Sequence, residues 1–304
     1  MQLFLIGGPT ASGKTVLALR LAREIDGEIV GADALQLYRD LRLLSARPSP
    51  EEEAGAPHHL IGVADAAEAW SVGRWLAAAG PVLEAIAARG RAAIVVGGTG
   101  LYFRALTEGL VQLPTVPPEI RQAVQARFDQ LGETHFRAEL ATVDPVAEAR
   151  ISPGDRQRLA RALEVHAATG RALSDWQSQA SPPLAAAYHA VVLEPPRPVL
   201  YARCDARFSR MAAAGALEEV RALFARGLDP KLPAMKAVGV RELAAHLSGD
   251  ISLEAAVALG QQQTRRYAKR QTTWFRNQTP DWARITEADP EAQAVAMARL
   301  WAPA

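Results

Sequence analysis

Gly8-Pro9-Thr10-Ala11-Ser12-Gly13-Lys14-Thr15 fits the phosphate-loop pattern G-x-x-x-x-G-K-[ST] without a gap. The run Gln2–Gly7 before it is apolar and predicts a strand. Val16, Leu17, Leu21 and Ile25 after it recur at helical spacing. Strand, glycine turn and helix is the setting the motif requires. The glycines let backbone amides close around an anion, and the helix start adds unpaired N–H groups and partial positive charge. Lys14 supplies a full charge, and Thr15 a hydroxyl able to ligate magnesium. The stretch therefore predicts binding of a di- or triphosphate.

Working outward, further strands are expected at Glu28–Ala32 and Ala92–Val96, with helices around 14–25 and 71–89. This alternation predicts an α/β fold with a parallel sheet. Ligands of such sheets sit beyond the carboxyl ends of the strands. Three features converge there: the phosphate loop, Asp33, and Gly97-Gly98-Thr99-Gly100. Three prolines between Pro114 and Pro118 interrupt the pattern, and Glu119–Ala180 reads as helical and polar. Tyr188–Leu193 reads as a strand returning to the sheet, and the rest as helical nearly to Asn277, with a last helix from about Ser252. The expected organisation is a core of 1–113 with 189–304 and an inserted helical domain of 114–188.

The composition excludes several classes. With 304 residues, 49% hydrophobic and 22% charged, the chain can build a sizeable core. A net charge of +1 means that any nucleic-acid site comes from local clustering. Cys204 is the only cysteine, so neither an intrachain disulfide nor a thiolate metal site is available, which suits a reducing cytoplasm. No basic leader and no long apolar run is present, so neither a signal peptide nor a membrane span is expected. Nothing demands a dimer, and a monomer is the default expectation.

Nucleotide-using enzymes of this type place a second carboxylate after a strand to hold magnesium. Here the strand Ala93–Val96 ends in Gly97-Gly98. The remaining carboxylate is Asp33, in Asp33-Ala34-Leu35-Gln36-Leu37-Tyr38. It has three readings: a magnesium ligand, a cap on the following turn, or a general base for a nucleophile attacking the carbon that bears a diphosphate. The third needs no nucleotide hydrolysis and explains the missing acid.

The second clue is Thr264–Arg276, with five cations (Arg265, Arg266, Lys269, Arg270, Arg276) and no acid. Arg266, Lys269, Arg270 and Thr273 share a helical face, with Tyr267, Trp274 and Phe275 interleaved. Such a face can follow a nucleic-acid backbone while rings stack on unpaired bases. The alternative is a solvated face over a core Trp274. Arg156, Arg158 and Arg161 form a second basic set, which favours RNA.

Together these residues resemble the tRNA dimethylallyltransferases, also called tRNA isopentenyltransferases, from the first strand to about Arg276. The markers are Gly8–Thr15, Asp33–Tyr38, Pro57-His58-His59-Leu60, Gly97–Tyr102, Arg158–Glu164 and Lys269–Arg276, specific in this order and spacing. The resemblance implies a P-loop core with an inserted tRNA-gripping domain, magnesium, and transfer of a dimethylallyl group from dimethylallyl diphosphate to N6 of adenine 37 beside the anticodon. It implies Asp33 as the base. It implies diphosphate contacts at Gly8, Thr10, Ala11, Ser12, Gly13, Lys14, Thr15 and Arg207, with magnesium on Thr15. The anticodon stem-loop would meet Ala34, Leu35, Gln36 and Thr99, where the adenine enters, and Arg121, Gln157, Arg158, Leu159, Ala160 and Arg161 in the insertion. Lys236, Gly239 and Arg241 would follow, then Lys269, Arg270, Gln271, Thr272, Thr273, Trp274, Phe275 and Arg276. One departure is Ala34, where the family usually has Ser. A zinc site at His58-His59 is not expected, for want of further ligands.

Two other classes fit part of the sequence. A small-molecule or nucleoside kinase predicts an acid after a core strand and leaves the basic helix idle. A non-catalytic RNA-binding module with a dead loop predicts damage at Lys14 or Asp33, and both are intact.

Overall fold

The computed structural model describes residues 2–111, 113–178, 182–185 and 187–301. Its contacts divide the chain into two compact units, Met1–Thr107 with Leu184–Ala304, and Glu108–Pro183. The larger unit is built on six parallel strands: β1 (Leu3–Gly7), β2 (Glu28–Gly31), β3 (His58–His59), β4 (Ala93–Gly97), β5 (His189–Leu193) and β6 (Ala283–Ile285). Their order is β3-β2-β4-β1-β5-β6. The fold is α/β with a P-loop-like core.

β1, β2 and β4 are buried on both faces, which is why β1 and β4 read as unbroken apolar runs and β2 as one after Glu28. Alternate residues serve opposite faces. Leu3 and Leu5 join Val30, Val95, Trp75, Phe103 and Phe275 in one core. Phe4 and Ile6 join Ile29, Ile94, Val96, Leu17 and Met297 in the other. Gly7 lies opposite Gly97, and Gly31 opposite Val96, so β1, β4 and β2 end at one level. The loops that follow them therefore leave the sheet together.

The phosphate loop leads into helix Lys14–Glu24 through Gly13, at φ 104, a left-handed conformation that favours glycine. Helix Val72–Ala88 starts at Ser71, whose side chain accepts the Arg74 N–H. Trp75 on that helix is fully buried and donates Nε1–H to the Gly31 carbonyl at 2.9 Å, supporting the end of β2.

The four long strands lie within one residue of their expected limits. β3, β6 and the terminal helix Pro290–Trp301 are additions. β3 accounts for His58-His59: His59 Nε2 lies 2.7 Å from Glu28 Oε2, and His58 Nδ1 lies 2.8 Å from the Ala56 carbonyl.

The smaller unit holds helices Pro118–Val143, Pro145–Arg150, Arg156–Thr169 and Leu173–Gln177 around Phe136, Leu140, Leu159 and Leu163. The first of these breaks at Gly132, φ 73. Buried Asp144 accepts from the Ala147 and Ser174 N–H groups at 2.9 Å each, joining three helices. The limits of this unit, 108 and 183, precede the expected 114 and 188. Buried Ala185 belongs to the first core and donates its N–H to the Leu106 carbonyl at 3.0 Å. Ala180, where the expected helical stretch ends, lies outside the described residues.

Glu28 is 2% exposed yet ionised. Hydrogen bonds from Arg89 hold its carboxyl at about 2, helped by His59 against the opposing effect of burial. Because the folded value is depressed from 4.5, the stabilisation is full above that pH and is lost as pH falls towards 2. Glu28→Ala should cost about 2–3 kcal/mol at neutral pH and flatten acid unfolding over that window, measured by denaturant titration at several pH values.

Candidate active site

The phosphate loop, the Asp33 turn and the end of β4 enclose a cavity of ≈ 260 Å³. Thr10, Ala11, Gly13, Lys14 and Thr15 line it from the loop, Asp33 and Gln36 from the turn, and Arg207 from helix Arg197–Met211. Gly8 and Ser12 do not line it. Gly8 is buried, and a Cβ there would meet the Leu193 carbonyl at 2.7 Å. Ser12 is 1% exposed, with its hydroxyl unpartnered.

The cavity is cationic. Lys14 donates Nζ–H to the Pro9 carbonyl at 2.9 Å, and Arg207 donates Nη1–H to Thr10 Oγ1 at 3.2 Å. Burial lowers the Lys14 pKa to about 8, with Asp33 opposing the shift. Burial likewise lowers that of Arg207. Two partly desolvated cations and the N–H groups of a helix start make a site for a compact polyanion. Cys204, against Ala11, has its thiol pushed up to about 11 by burial and is an inert core group.

Asp33 stands at the mouth. Its Oδ1 accepts the Leu35 N–H at 3.0 Å, so the capping expectation holds for one oxygen. No second hydrogen bond to it occurs among the described residues. Thr99 fixes the turn by accepting the Ala34 N–H at 2.9 Å and donating its own N–H to the Ala32 carbonyl at 3.1 Å. The backbone contact at Ala34 is thus kept without a serine. Gln36 donates its amide to the Ala46 carbonyl at 3.0 Å, which leaves only its oxygen for another partner.

The glycines after β4 have a mechanical reason. A Cβ on Gly97 would lie 2.0 Å from the Ala32 carbonyl oxygen. One on Gly98 would lie 2.2 Å from Gln271 Nε2. No side chain fits at Gly97, where the obstacle is backbone, and one at Gly98 would displace the Gln271 amide. Beyond Asp33 a smaller apolar chamber opens, lined by Leu35, Leu44, Phe208, Met211, Val238 and Tyr267. Apart from Leu35, expected as an RNA contact, the sequence did not single out these walls, although Phe208 adjoins Arg207.

On the long helix Leu253–Gln278, Arg266, Lys269, Arg270 and Thr273 do share an exposed face. With Trp274 they line an open groove of ≈ 490 Å³. Trp274 lies against Gly100, where a Cβ would be 2.0 Å from its ring. Arg276 is held by Glu194, and Arg265 by Asp205. Thr272 donates to the Ala268 carbonyl of its own helix. Lys236 and Arg241 are exposed.

The structure buries five of the expected RNA contacts. Phe275 is 0% exposed and packs on Gly7 and Phe103. Gln271 is 5% exposed and faces inward. Leu159 and Ala160 lie in the core of the smaller unit, leaving Gln157 and Arg158 as the exposed side chains of that turn. Arg158 pairs with Asp155, and half-buried Arg161 and exposed Arg121 with Glu164. Gly239 is buried as well, at φ 97, against Leu44 and Phe208. A residue the sequence did not suggest is Gln293, which reaches the loop from the terminal helix with its amide on the Ser12 carbonyl at 3.0 Å.

The comparisons agree with this geometry. The family model for IPP transferase matches residues 36–278, and that for isopentenyl transferase residues 1–59. The chain belongs to the tRNA dimethylallyltransferase family. A tRNA dimethylallyltransferase of Phenylobacterium zucineum (strain HLK1) is 63% identical over 292 residues, 96% of this chain and 95% of the relative. That of Caulobacter sp. (strain K31) is 59% identical over 290 residues, 95% and 94%. The full-length tRNA isopentenylpyrophosphate transferase of Bacillus halodurans superposes with a TM-score of 0.69 at 32% identity, covering 98% of this chain and 94% of its own. A eukaryotic dimethylallyltransferase acting on tRNA gives a TM-score of 0.81 at 25% identity, covering 96% and 75%. The chain is therefore a prenyltransferase of α/β fold. No helix among the described residues is long and apolar enough to cross a membrane.

The placement of Phe275 distinguishes core from contact. Phe275→Ala should destabilise the protein by about 3–5 kcal/mol. Arg266→Ala, on the exposed face, should change stability by less than about 0.5 kcal/mol. Denaturant midpoints of the two variants check both.

Proposed function

We propose that this protein transfers the dimethylallyl group of dimethylallyl diphosphate to N6 of adenine 37, beside the tRNA anticodon, and releases diphosphate. The observation that carries this is Asp33, with one carboxylate oxygen still open, between a cationic phosphate cavity and an apolar chamber.

In this reading the diphosphate lies on Thr10–Thr15, with Lys14 and Arg207 offsetting charge as the C–O bond breaks. The isoprenoid tail occupies the chamber of Leu35, Leu44, Phe208 and Met211. The adenine leaves its stack to reach Asp33, at lower cost from a loop than from a duplex. N6 bonds to C1 of the allyl group, the C1–O electron pair leaves with diphosphate, and the N6 proton passes to Asp33. The exocyclic amine is a poor nucleophile, so proton removal in the transition state matters.

Magnesium is also proposed. No group of three or more His, Cys, Asp or Glu able to hold a metal occurs among the described residues. The Thr15 hydroxyl and the Asp33 carboxylate, hard oxygens on one cavity, fit an ion held mainly through phosphate and water oxygens. Thr15 would hold it, and its charge would further offset that of diphosphate.

The anticodon stem-loop would lie along Arg266, Lys269, Arg270 and Thr273. Lys236 and Arg241 would add phosphate contacts, as would Arg121, Gln157, Arg158 and Arg161 of the inserted domain. The exposed cations Arg266, Lys269 and Arg270 on one helix face favour RNA over a compact kinase substrate. The kinase reading lacks room for its acid at Gly97, the end of β4. The protein would act in the cytoplasm, with its tRNA.

Label transfer from dimethylallyl diphosphate to an anticodon stem-loop with adenine 37 tests the reaction. Asp33→Ala should lower transfer by about 100–10,000-fold while RNA binding persists. ATP turnover without transfer by the wild type would replace this reading by a kinase. The pH dependence tests Lys14. Its ammonium, with a pKa of about 8 in the free protein, is charged below that pH and lost above it. Affinity for inorganic diphosphate should fall above about pH 8, by up to about tenfold per unit, in calorimetric titrations. A flat profile would remove Lys14 from the site.

A further inference from the structure

Resting on the diphosphate reading above, we propose that Gln271 and Gln293 are positioning residues that clamp the phosphate loop in its anion-binding shape before diphosphate arrives. The two side chains come from different helices, Leu253–Gln278 and Pro290–Trp301, and both are buried, at 5% and 1% exposure. Neither lines the phosphate cavity, so any effect on the ligand runs through the backbone they hold.

Gln271 Oε1 accepts the Thr10 N–H at 2.8 Å, and its Nε2 donates to the Gly98 carbonyl at 2.9 Å. One amide thus ties the loop after β1 to the turn after β4. Gln293 Nε2 donates to the Ser12 carbonyl at 3.0 Å and to the Glu287 carbonyl at 2.9 Å. The loop is therefore gripped at Thr10 and at Ser12, on either side of Ala11, which lines the cavity.

The glycines of both segments make room for these amides. A Cβ on Gly98 would fall 2.2 Å from Gln271 Nε2, and one on Gly13 would fall 2.7 Å from Gln293 Oε1. Gly13 thus serves both the turn conformation and the docking of a side chain from the far end of the sequence.

The need for a clamp is electrostatic. An empty phosphate loop gathers N–H dipoles beside Lys14 and Arg207, and mutual repulsion favours opening. A glutamine amide supplies an acceptor and a donor at one reach. Partners at fixed positions keep the loop closed, so diphosphate binding carries no ordering cost. The Thr10 N–H is spent on Gln271, which leaves the later amides of the loop to face the ligand.

Gln271→Met and Gln293→Met keep side-chain length and remove both bonding functions. At a temperature well below each melting midpoint, Kd for inorganic diphosphate and KM for dimethylallyl diphosphate should rise about tenfold. KM for the stem-loop RNA and kcat should stay within about threefold. Gly98→Ala leaves both glutamines in place but pushes the Gln271 amide aside, and its backbone is not left-handed. It should reproduce the Gln271→Met profile, and it decides the matter if a methionine variant does not fold. Folded variants with a lowered melting midpoint but unchanged diphosphate affinity would overturn the clamp. Wild-type protein that binds no inorganic diphosphate would overturn the diphosphate reading itself, and the clamp with it.

Discussion

The backbones at the ends of β2 and β4 meet so closely that no side chain fits between them. The Ala32 carbonyl occupies the space of a Gly97 Cβ, and the Thr99 N–H returns to that same carbonyl. This one approach decides where the carboxylate of the site stands. A side chain at Gly97, the last residue of β4, is sterically excluded, and the carboxylate stands instead on the turn that begins at Asp33. Thr99 then holds that turn by the Ala34 N–H, so the position of Asp33 is inherited from backbone packing. A carboxylate displaced in this way faces the open cavity mouth and the apolar chamber, where it can meet a nucleophile.

The cavity also carries a cost that the rest of the larger unit has to bear. Lys14 and Arg207 are desolvated, and burial lowers the pKa of both. Holding two such cations beside a helix N-terminus destabilises the empty protein, and an arriving polyanion recovers that energy as affinity. The sheet that supports this strain is apolar on both faces and anchored at the opposite end of β2, where Glu28 gathers Arg89, Arg91 and His59. Charge is thus paired at one end of the strand, and two desolvated cations gather beyond the other.

The sequence made some of this legible and concealed the rest for physical reasons. β1, β2 and β4 are buried on both faces, so the apolar runs of β1 and β4, and that of β2 after Glu28, were visible. β3 and β6 have two and three residues, too few for any periodic signal, and β3 consists of histidines. The phosphate loop announced itself because its glycines and lysine follow fixed spacing. The face of Arg266, Lys269 and Arg270 followed from helical periodicity. Gln271 and Phe275 sat inside the same basic run and looked like members of that face. Their burial depends on partners at Gly98, Thr10 and Gly7, which local spacing does not reveal. Gln293 was silent for the same reason, since its function is defined by Gly13 and Ser12 at the other end of the chain.

The helix Leu253–Gln278 presents two different faces. Its outward residues are cations and Trp274, along an open groove. Its inward residues are Gly260, Thr264, Ala268, Gln271 and Phe275, all buried. Small residues there bring the helix close to Arg197–Met211: a Cβ on Gly260 would lie 2.0 Å from the Phe208 ring. Phe208 is a wall of the apolar chamber, Arg207 lies on the phosphate cavity, and Gln271 touches the loop. The inner side of this helix thus reaches the Phe208 wall of the chamber and, through Gln271, the phosphate loop.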